Sequence, residues 1–146
     1  MKVKSFSKQQ SGFTLIELVV VIVILGILAV TAIPRFTDMA RQARIAALNG
    51  MLGAVQSASA IAHAQSLVTN TPNGNITMEG ASVAVVNSYP TATSIATALS
   101  ASDGFTFAAG VFTLTGATTP ATCIVTYTAP AAAGNAPTIT ATSTGC

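Results

Sequence analysis

The sequence predicts an α+β fold, in which a long N-terminal helix with a transmembrane first half packs on a small antiparallel β-sheet head. The apolar run 13–33 would be about 32 Å long as a helix, which is enough to span a bilayer. Behind it, apolar residues recur every three or four positions to about Ser66, as in an amphipathic helix. The composition then shifts to Thr, Ala, Ser and Val in short runs typical of strands.

The charge distribution excludes one class of partner. The chain has 146 residues, 51% hydrophobic and only 7% charged, with a net charge of +2. No Lys or Arg follows Arg44. Because phosphate binding needs clustered basic side chains, no nucleic-acid partner is expected for the C-terminal part.

The helix is predicted from about Phe13 to about Ser66, with an interruption near Pro34. Proline removes a backbone donor and clashes with the preceding turn. Gly26 lowers the helix propensity further. The segment between Gly26 and Pro34 is therefore the expected place of a helix break.

The rest of the chain is predicted to form the β head. Turn residues at 69–75 end the helix. The predicted elements that follow are a short strand or buried connector at Ser82–Asn87, a turn at Asn87–Thr93, a short helix at Ser94–Leu99, and strands at Phe105–Leu114 with a break near Gly110, at Thr122–Thr128 and at Pro137–Thr142.

The N-terminus has the charge pattern of a membrane anchor. Lys2, Lys4 and Lys8 precede the apolar run and no positive charge follows it soon, which places the N-terminus in the cytoplasm. A secretory signal is cut after its apolar region at a small-x-small site, and Ala29–Ala32 offers only a weak version. From these features alone, a plain single-pass anchor remains open.

The run Gly12-Phe13-Thr14-Leu15-Ile16-Glu17 behind a short basic leader resembles the class III signal of type IV prepilins. The resemblance continues through Gly26 and Pro34. It implies that a membrane-embedded prepilin peptidase cuts between Gly12 and Phe13. It also implies that Phe13 is then N-methylated and that the apolar segment stays on the mature protein.

Glu17 is a carboxylate at membrane depth, where an ionisable group is costly and usually functional. Cleavage would create a positive amine on Phe13, four residues earlier. The resemblance implies that Glu17 pairs with the N-terminal amine of a neighbouring subunit during assembly. An interfacial glutamate that simply faces water is the alternative.

The resemblance also implies an organisation for the chain. Residues 1–12 are the cleaved leader, 13–34 the transmembrane and fibre-core helix, 35–66 the amphipathic half of the helix and 67–146 the globular β head. In packed subunits, the helix is expected to melt locally between Gly26 and Pro34.

Cys123 and Cys146 are the only cysteines, and in an exported protein two cysteines most often form a disulfide. A metal pair or redox thiols would be the alternative, but C-x-x-C spacing and a nearby His are both missing. A late disulfide also resembles type IV pilins. The segment Asn87–Ala92 and the Cys123 to Cys146 tail are similar to major pilins of the mannose-sensitive haemagglutinin (MSHA) type.

The sequence offers no catalytic residues, no metal ligands and no cofactor site. His63, the lone histidine, is predicted within the helix near its packed face, where a structural role is usual. Glu79 and Asp103 lie in separate loops without partner spacing. No glycine-rich loop has a phosphate-binding form, so an enzyme is not expected.

Two function classes follow from the resemblance. The first is the major subunit of a type IV pilus, a helical filament of identical subunits for adhesion, surface attachment and biofilm formation. Its partners would be the prepilin peptidase, inner-membrane lipid, the assembly machinery and surface or host ligands, in a Gram-negative bacterium. The second is a pseudopilin of type II secretion. A membrane-anchored binding module that never polymerises is a third reading.

Overall fold

The computed structural model describes residues 13–146, so the predicted leader 1–12, with Gly12, lies outside the described residues. The chain divides into two compact units, Met1–Met39 and Ala40–Cys146. This division differs from the predicted limits at 34 and 66, because it groups the second part of the helix with the β strands. The segment limits inferred from the sequence therefore stay predictions.

The N-terminal helix, α1, covers Leu15–Val68 as one continuous element. It passes through Gly26 and Pro34, so the interruption predicted near Pro34 is absent from the single chain. A proline within a helix removes only one donor, and the helical bonds on both sides maintain the element. Local melting was expected for packed subunits, and that stays a prediction.

The C-terminus of α1 is closed by a Schellman motif. Asn70 takes a left-handed conformation with φ 50°, which an asparagine adopts more readily than most residues. The Asn70 N–H then donates to Leu67 O and the Thr71 N–H donates to Ser66 O. The Ser66 hydroxyl also donates to Thr71 O at 2.6 Å. These bonds satisfy carbonyls that the end of the helix would leave unpaired.

The described residues form seven strands in two antiparallel sheets, where the sequence predicted one small sheet. The three-stranded sheet has the order β1-β2-β3 and the four-stranded sheet the order β4-β5-β6-β7. The strands are β1 (Gly74–Met78), β2 (Ala81–Val86), β3 (Tyr89–Pro90), β4 (Phe105–Ala108), β5 (Val111–Leu114), β6 (Ile124–Thr128) and β7 (Thr138–Thr142). Two 3₁₀ turns, Ile95–Ala98 and Pro120–Thr122, connect them.

Two-residue loops set the register of three hairpins. Glu79–Gly80, Asn87–Ser88 and Ala109–Gly110 each have positive φ at both positions, as in a type I′ turn. The twist of this turn matches that of the strands. At Gly110 a side chain would also meet Tyr127 O at 2.6 Å, so this loop needs glycine for space as well as for conformation.

The second unit is held by two apolar clusters that place α1 against both sheets. The larger cluster packs the 48–55 part of α1 on the four-stranded sheet and consists of Leu48, Met51, Val55, Ile95, Phe112, Leu114, Cys123, Val125, Tyr127 and Cys146. The smaller cluster packs Ala62, further along α1, on the three-stranded sheet and also contains Ile76, Val83 and Val85. The predicted α+β class, a helix on antiparallel sheet with one disulfide, is confirmed.

Candidate functional site

The first part of α1 presents an apolar surface on all sides. Every described side chain of 13–33 except Ala32 is exposed. Within residues 13–146, α1 is the one helix long and apolar enough to cross a membrane by length and composition. The large apolar side chains of residues 13–33, from Phe13 at 92% exposed to Val19 at 39%, are not covered by any other part of the described chain. An apolar helix without an internal partner is suited to lipid or to packing against other copies.

Thr14 and Glu17 form a capping box at the start of this helix. Glu17 Oε2 accepts from the Thr14 N–H at 2.8 Å and from the Thr14 hydroxyl at 2.7 Å. In return the Glu17 N–H donates to Thr14 Oγ1 at 3.3 Å. The reciprocal bonds satisfy donors that the helix N-terminus leaves unpaired, and the carboxylate lies at the positive end of the helix dipole.

The capping box was not predicted, although Thr-x-x-Glu before an apolar run is its usual sequence signal. It shows how Glu17 is satisfied in the single chain. The carboxylate is exposed and lies beside a shallow groove lined by Phe13, Ile16, Val20 and Val21. Glu17 is therefore bound to its own helix and still accessible to a cation from another molecule.

The disulfide between Cys123 and Cys146 is present, with an S–S distance of 2.02 Å and a Cα–Cα distance of 5.0 Å. Both residues are buried in the larger cluster. On α1, Arg44 Nη1 donates to the main-chain oxygen of Cys146 at 3.0 Å and to Thr118 Oγ1 at 3.2 Å. The residues next to the bridge are thus tied to the helix by a charge-assisted bond that the sequence did not reveal.

His63 has the structural role predicted for it. Its Nδ1 lies 2.9 Å from Ser88 O, in the turn between β2 and β3. Its ring stacks on Tyr89 with a centroid distance of 4.1 Å and an interplanar angle of 6°. Ser88 has φ 67°, which is unusual for serine, and the histidine contact holds this turn against α1.

Tyr127 is buried between the two sheets and donates its hydroxyl to Pro90 O at 2.7 Å. Burial raises the pKa of Tyr127 because it disfavours the phenolate, the nearby Ser59 hydroxyl lowers it, and Tyr89 raises it. Ser59 Oγ is itself buried without a hydrogen bond of good geometry. The hydrogen bond from Tyr127 in β6 to Pro90 O in β3 joins the four-stranded sheet to the three-stranded sheet.

The other acidic residues of the head do not come together. Glu79 lies in the β1–β2 turn and Asp103 in the segment before β4, and both are exposed. Among residues 13–146, no group of three or more His, Cys, Asp and Glu side chains is arranged to hold a metal ion.

Residues 7–33 match the family model of the prokaryotic N-terminal methylation motif. No curated protein and no solved structure matches the chain. The motif covers less than a fifth of the chain, and it supports a type IV pilin or a pseudopilin, which are structural subunits. It implies processing by a prepilin peptidase, and together with the apolar helix it suits inner-membrane anchoring before assembly.

Proposed function

We propose that this protein is the major structural subunit of an MSHA-like type IV pilus, a helical surface filament for adhesion, surface attachment and biofilm formation. The observation that carries the proposal is the methylation motif at 7–33, which includes the exposed apolar first part of α1 with a carboxylate in its first turn. Such a helix suits an anchor in lipid and later a core in which copies of it pack together.

Cleavage between Gly12 and Phe13 would leave the apolar helix on the mature chain with a methylated amine at its start. The Glu17 carboxylate then has two partners that it can bind. One is the cap on its own Thr14, and the other is the amine of a neighbouring subunit. An unpaired charge inside a helix bundle costs several kcal/mol, so the pairing would select a single stagger between subunits.

The contacts between subunits in this account are heterologous, because Glu17 of one chain meets the N-terminus of the next. Heterologous contacts that do not close into a ring produce an open helical filament. The second unit, Ala40–Cys146, has its own core and disulfide and would form the surface of the fibre. Its mostly uncharged exterior would make the contacts with host or abiotic surfaces.

A pseudopilin of type II secretion is the second candidate, because it shares the methylation motif. Many major pseudopilins carry an acidic calcium loop and no disulfide. Here Glu79 and Asp103 lie in separate exposed segments, and Cys123 and Cys146 are bonded. These observations favour the pilus.

Shearing of intact cells separates the candidates. A pilus subunit is expected in the sheared fraction as long filaments that an antibody against the head decorates along their length. A chain that stays with the cells after shearing, with secretion lost on deletion of its gene, would indicate the pseudopilin. A chain that stays with the cells without forming any fibre would indicate an anchored binding module.

A further inference from the structure

The outer edge of β7 is an open hydrogen-bonding edge. β7 is the last strand of the four-stranded sheet and pairs with β6 from Thr138 to Thr142. Within residues 13–146, no other strand pairs with its far side. Four of its five residues are exposed, and only Ile139 is partly covered, by the larger apolar cluster.

This edge lacks the features by which proteins usually prevent edge pairing. Native edges are blunted by a charged side chain, a proline or a bulge. β7 reads Thr-Ile-Thr-Ala-Thr, without charge or proline, and its five pairs with β6 follow one another without a bulge. Four of its five residues, the three threonines and Ile139, have high strand propensity.

We propose that the outer edge of β7 pairs with β7 of a second copy of this chain, antiparallel and centred on Thr140. The strand is self-complementary in that register. Thr138 faces Thr142 of the other copy, Ile139 faces Ala141, and Thr140 faces itself. The two sheets would join through roughly four to six backbone hydrogen bonds, depending on which residues direct their N–H and C=O outward.

The side chains and charges support a second copy as the occupant. The threonines at 138, 140 and 142 share the face opposite Ile139, and Thr–Thr pairs across strands are favourable. No Asp, Glu, Lys, Arg or His lies in β6 or β7, so two copies meet without like charges. A charged partner strand would find no opposite charge here and would lose hydration.

The consequence for filaments rests on the proposed function. A contact centred on one residue is isologous and closes on itself, whereas the filament contacts are heterologous and open. Pairing through β7 would therefore join heads from two different filaments and would not lengthen either one. Many such contacts along two fibres would act together, so a weak single pair would suffice for lateral bundling.

A cysteine at the proposed axis tests this with the full mature chain purified in detergent, where no filament is needed. The two native cysteines are bonded to each other, so Thr140→Cys introduces the only free thiol. Directly opposite residues have Cβ atoms about 5 Å apart, close enough for a disulfide after a small adjustment. Thr128→Cys is the control, because Thr128 is exposed at the end of β6 and pairs with Thr138. In the proposed register the two thiols would be three strand spacings and four residues apart, about 20 Å.

Thr140→Cys should give several-fold more disulfide-linked dimer than Thr128→Cys under mild oxidation. Equal cross-linking of the two variants, or none in either, would overturn the proposal. Circular dichroism of both variants checks that the head remains folded. The cross-linking is measured in detergent without filaments. A negative result would therefore count against pairing through β7 and leave the pilus assignment intact.

Charge reversal tests the register in the Thr140→Cys background. With Thr138→Lys and Thr142→Glu, each introduced lysine faces an introduced glutamate of the other copy, and cross-linking should be kept. With Thr138→Lys and Thr142→Lys, like charges face each other at both ends, and cross-linking should fall several-fold. The same yield from both double variants would contradict pairing centred on Thr140.

Discussion

Thr14 and Glu17 bond to each other in both directions at the start of α1, with the Glu17 carboxylate 2.8 Å from the Thr14 N–H and 2.7 Å from its hydroxyl. Glu17 therefore serves as a helix cap in the single chain, whatever it does during assembly. A substitution at Glu17 changes both roles, and only a variant that keeps the cap can show the effect of the charge. Glutamine is such a variant, because it can replace glutamate in a capping box.

Glu17→Gln should be cleaved and inserted in the membrane but should form few or no filaments. The amide keeps the size and the acceptor for Thr14 while it removes the attraction for a neighbour's amine. The measurement is electron microscopy of sheared material, with immunoblots of the membrane fraction. Normal piliation of this variant would show that the charge is not required.

Thr14→Ala is the matched control for that experiment. It removes the hydroxyl partner of Glu17 and costs about 1 kcal/mol of helix stability, while the charge remains. Filaments should still form, in reduced amount at most. If Thr14→Ala abolishes filaments as completely as Glu17→Gln, the cap is itself required for assembly, which contradicts an assembly role that depends on the charge alone.

Gly12→Val should block processing, because the peptidase has to accept a small residue at the cut. Uncut precursor should accumulate in the inner membrane and run more slowly on a denaturing gel. Gln10→Val, two residues earlier in the leader, should be processed normally. Normal cleavage of Gly12→Val would refute the assignment of the cut.

Cys123→Ser should destabilise the second unit by about 3 kcal/mol, because the bridge closes a long loop and both sulfurs are buried. Denaturant unfolding of the detergent-solubilised chain measures this. Subunit abundance and filament number should fall while cleavage stays normal. The double variant with Cys146→Ser should be no less stable than the single one. A chain with two free thiols under non-reducing conditions would contradict the bridge.

Tyr127→Phe should cost about 1–3 kcal/mol, because the buried Pro90 carbonyl loses its hydrogen bond. The raised pKa of Tyr127 has a second consequence. The unfolded chain ionises this tyrosine near pH 10 while the folded chain keeps it neutral, so its contribution is complete below pH 10 and is lost as the pH rises above that value.

Unfolding curves between pH 8 and 11 check this pH dependence. The alkaline loss of stability should be smaller in Tyr127→Phe than in the native chain. Tyr89→Phe, which keeps the ring that stacks on His63, should retain most of the loss. The same alkaline slope in Tyr127→Phe and in the native chain would contradict the account.

Much of the fold could be predicted, because its signals are local. The apolar run and the three-to-four periodicity predicted α1, which ends at Val68 where about Ser66 was expected. The break in Phe105–Leu114 near Gly110 is the β4–β5 turn. Of the two alternatives predicted for Ser82–Asn87, a short strand or a buried connector, the strand is correct and is β2.

The remaining elements depend on partners distant in the sequence. β1 lies in a segment with no strong strand signal, and pairing with β2 organises it. β3 has two residues within a stretch predicted as a turn, and it exists because Pro90 and Tyr89 pair with Val85 and Val86. The continuity of α1 through Pro34 was missed because the expectation considered only the free-energy cost of a proline within a helix. It did not consider the helical hydrogen bonds on both sides of Pro34.

The parts of the candidate site that depend on short sequence motifs could be predicted. The disulfide pair could be found from residue type and position. The roles of Phe13 in methylation and of Glu17 in assembly stay predictions. The Thr14 cap also had a sequence signal that was overlooked. The Arg44 contact with Cys146 O had none, because it joins residues 102 positions apart.

The central claim is tested most directly by mass spectrometry of the subunit from sheared surface filaments. The account predicts that the filaments consist mainly of this chain and that its N-terminus is methylated Phe13. Filaments that lack the chain would contradict the account, as would filaments that contain it with its leader still attached or with a different first residue.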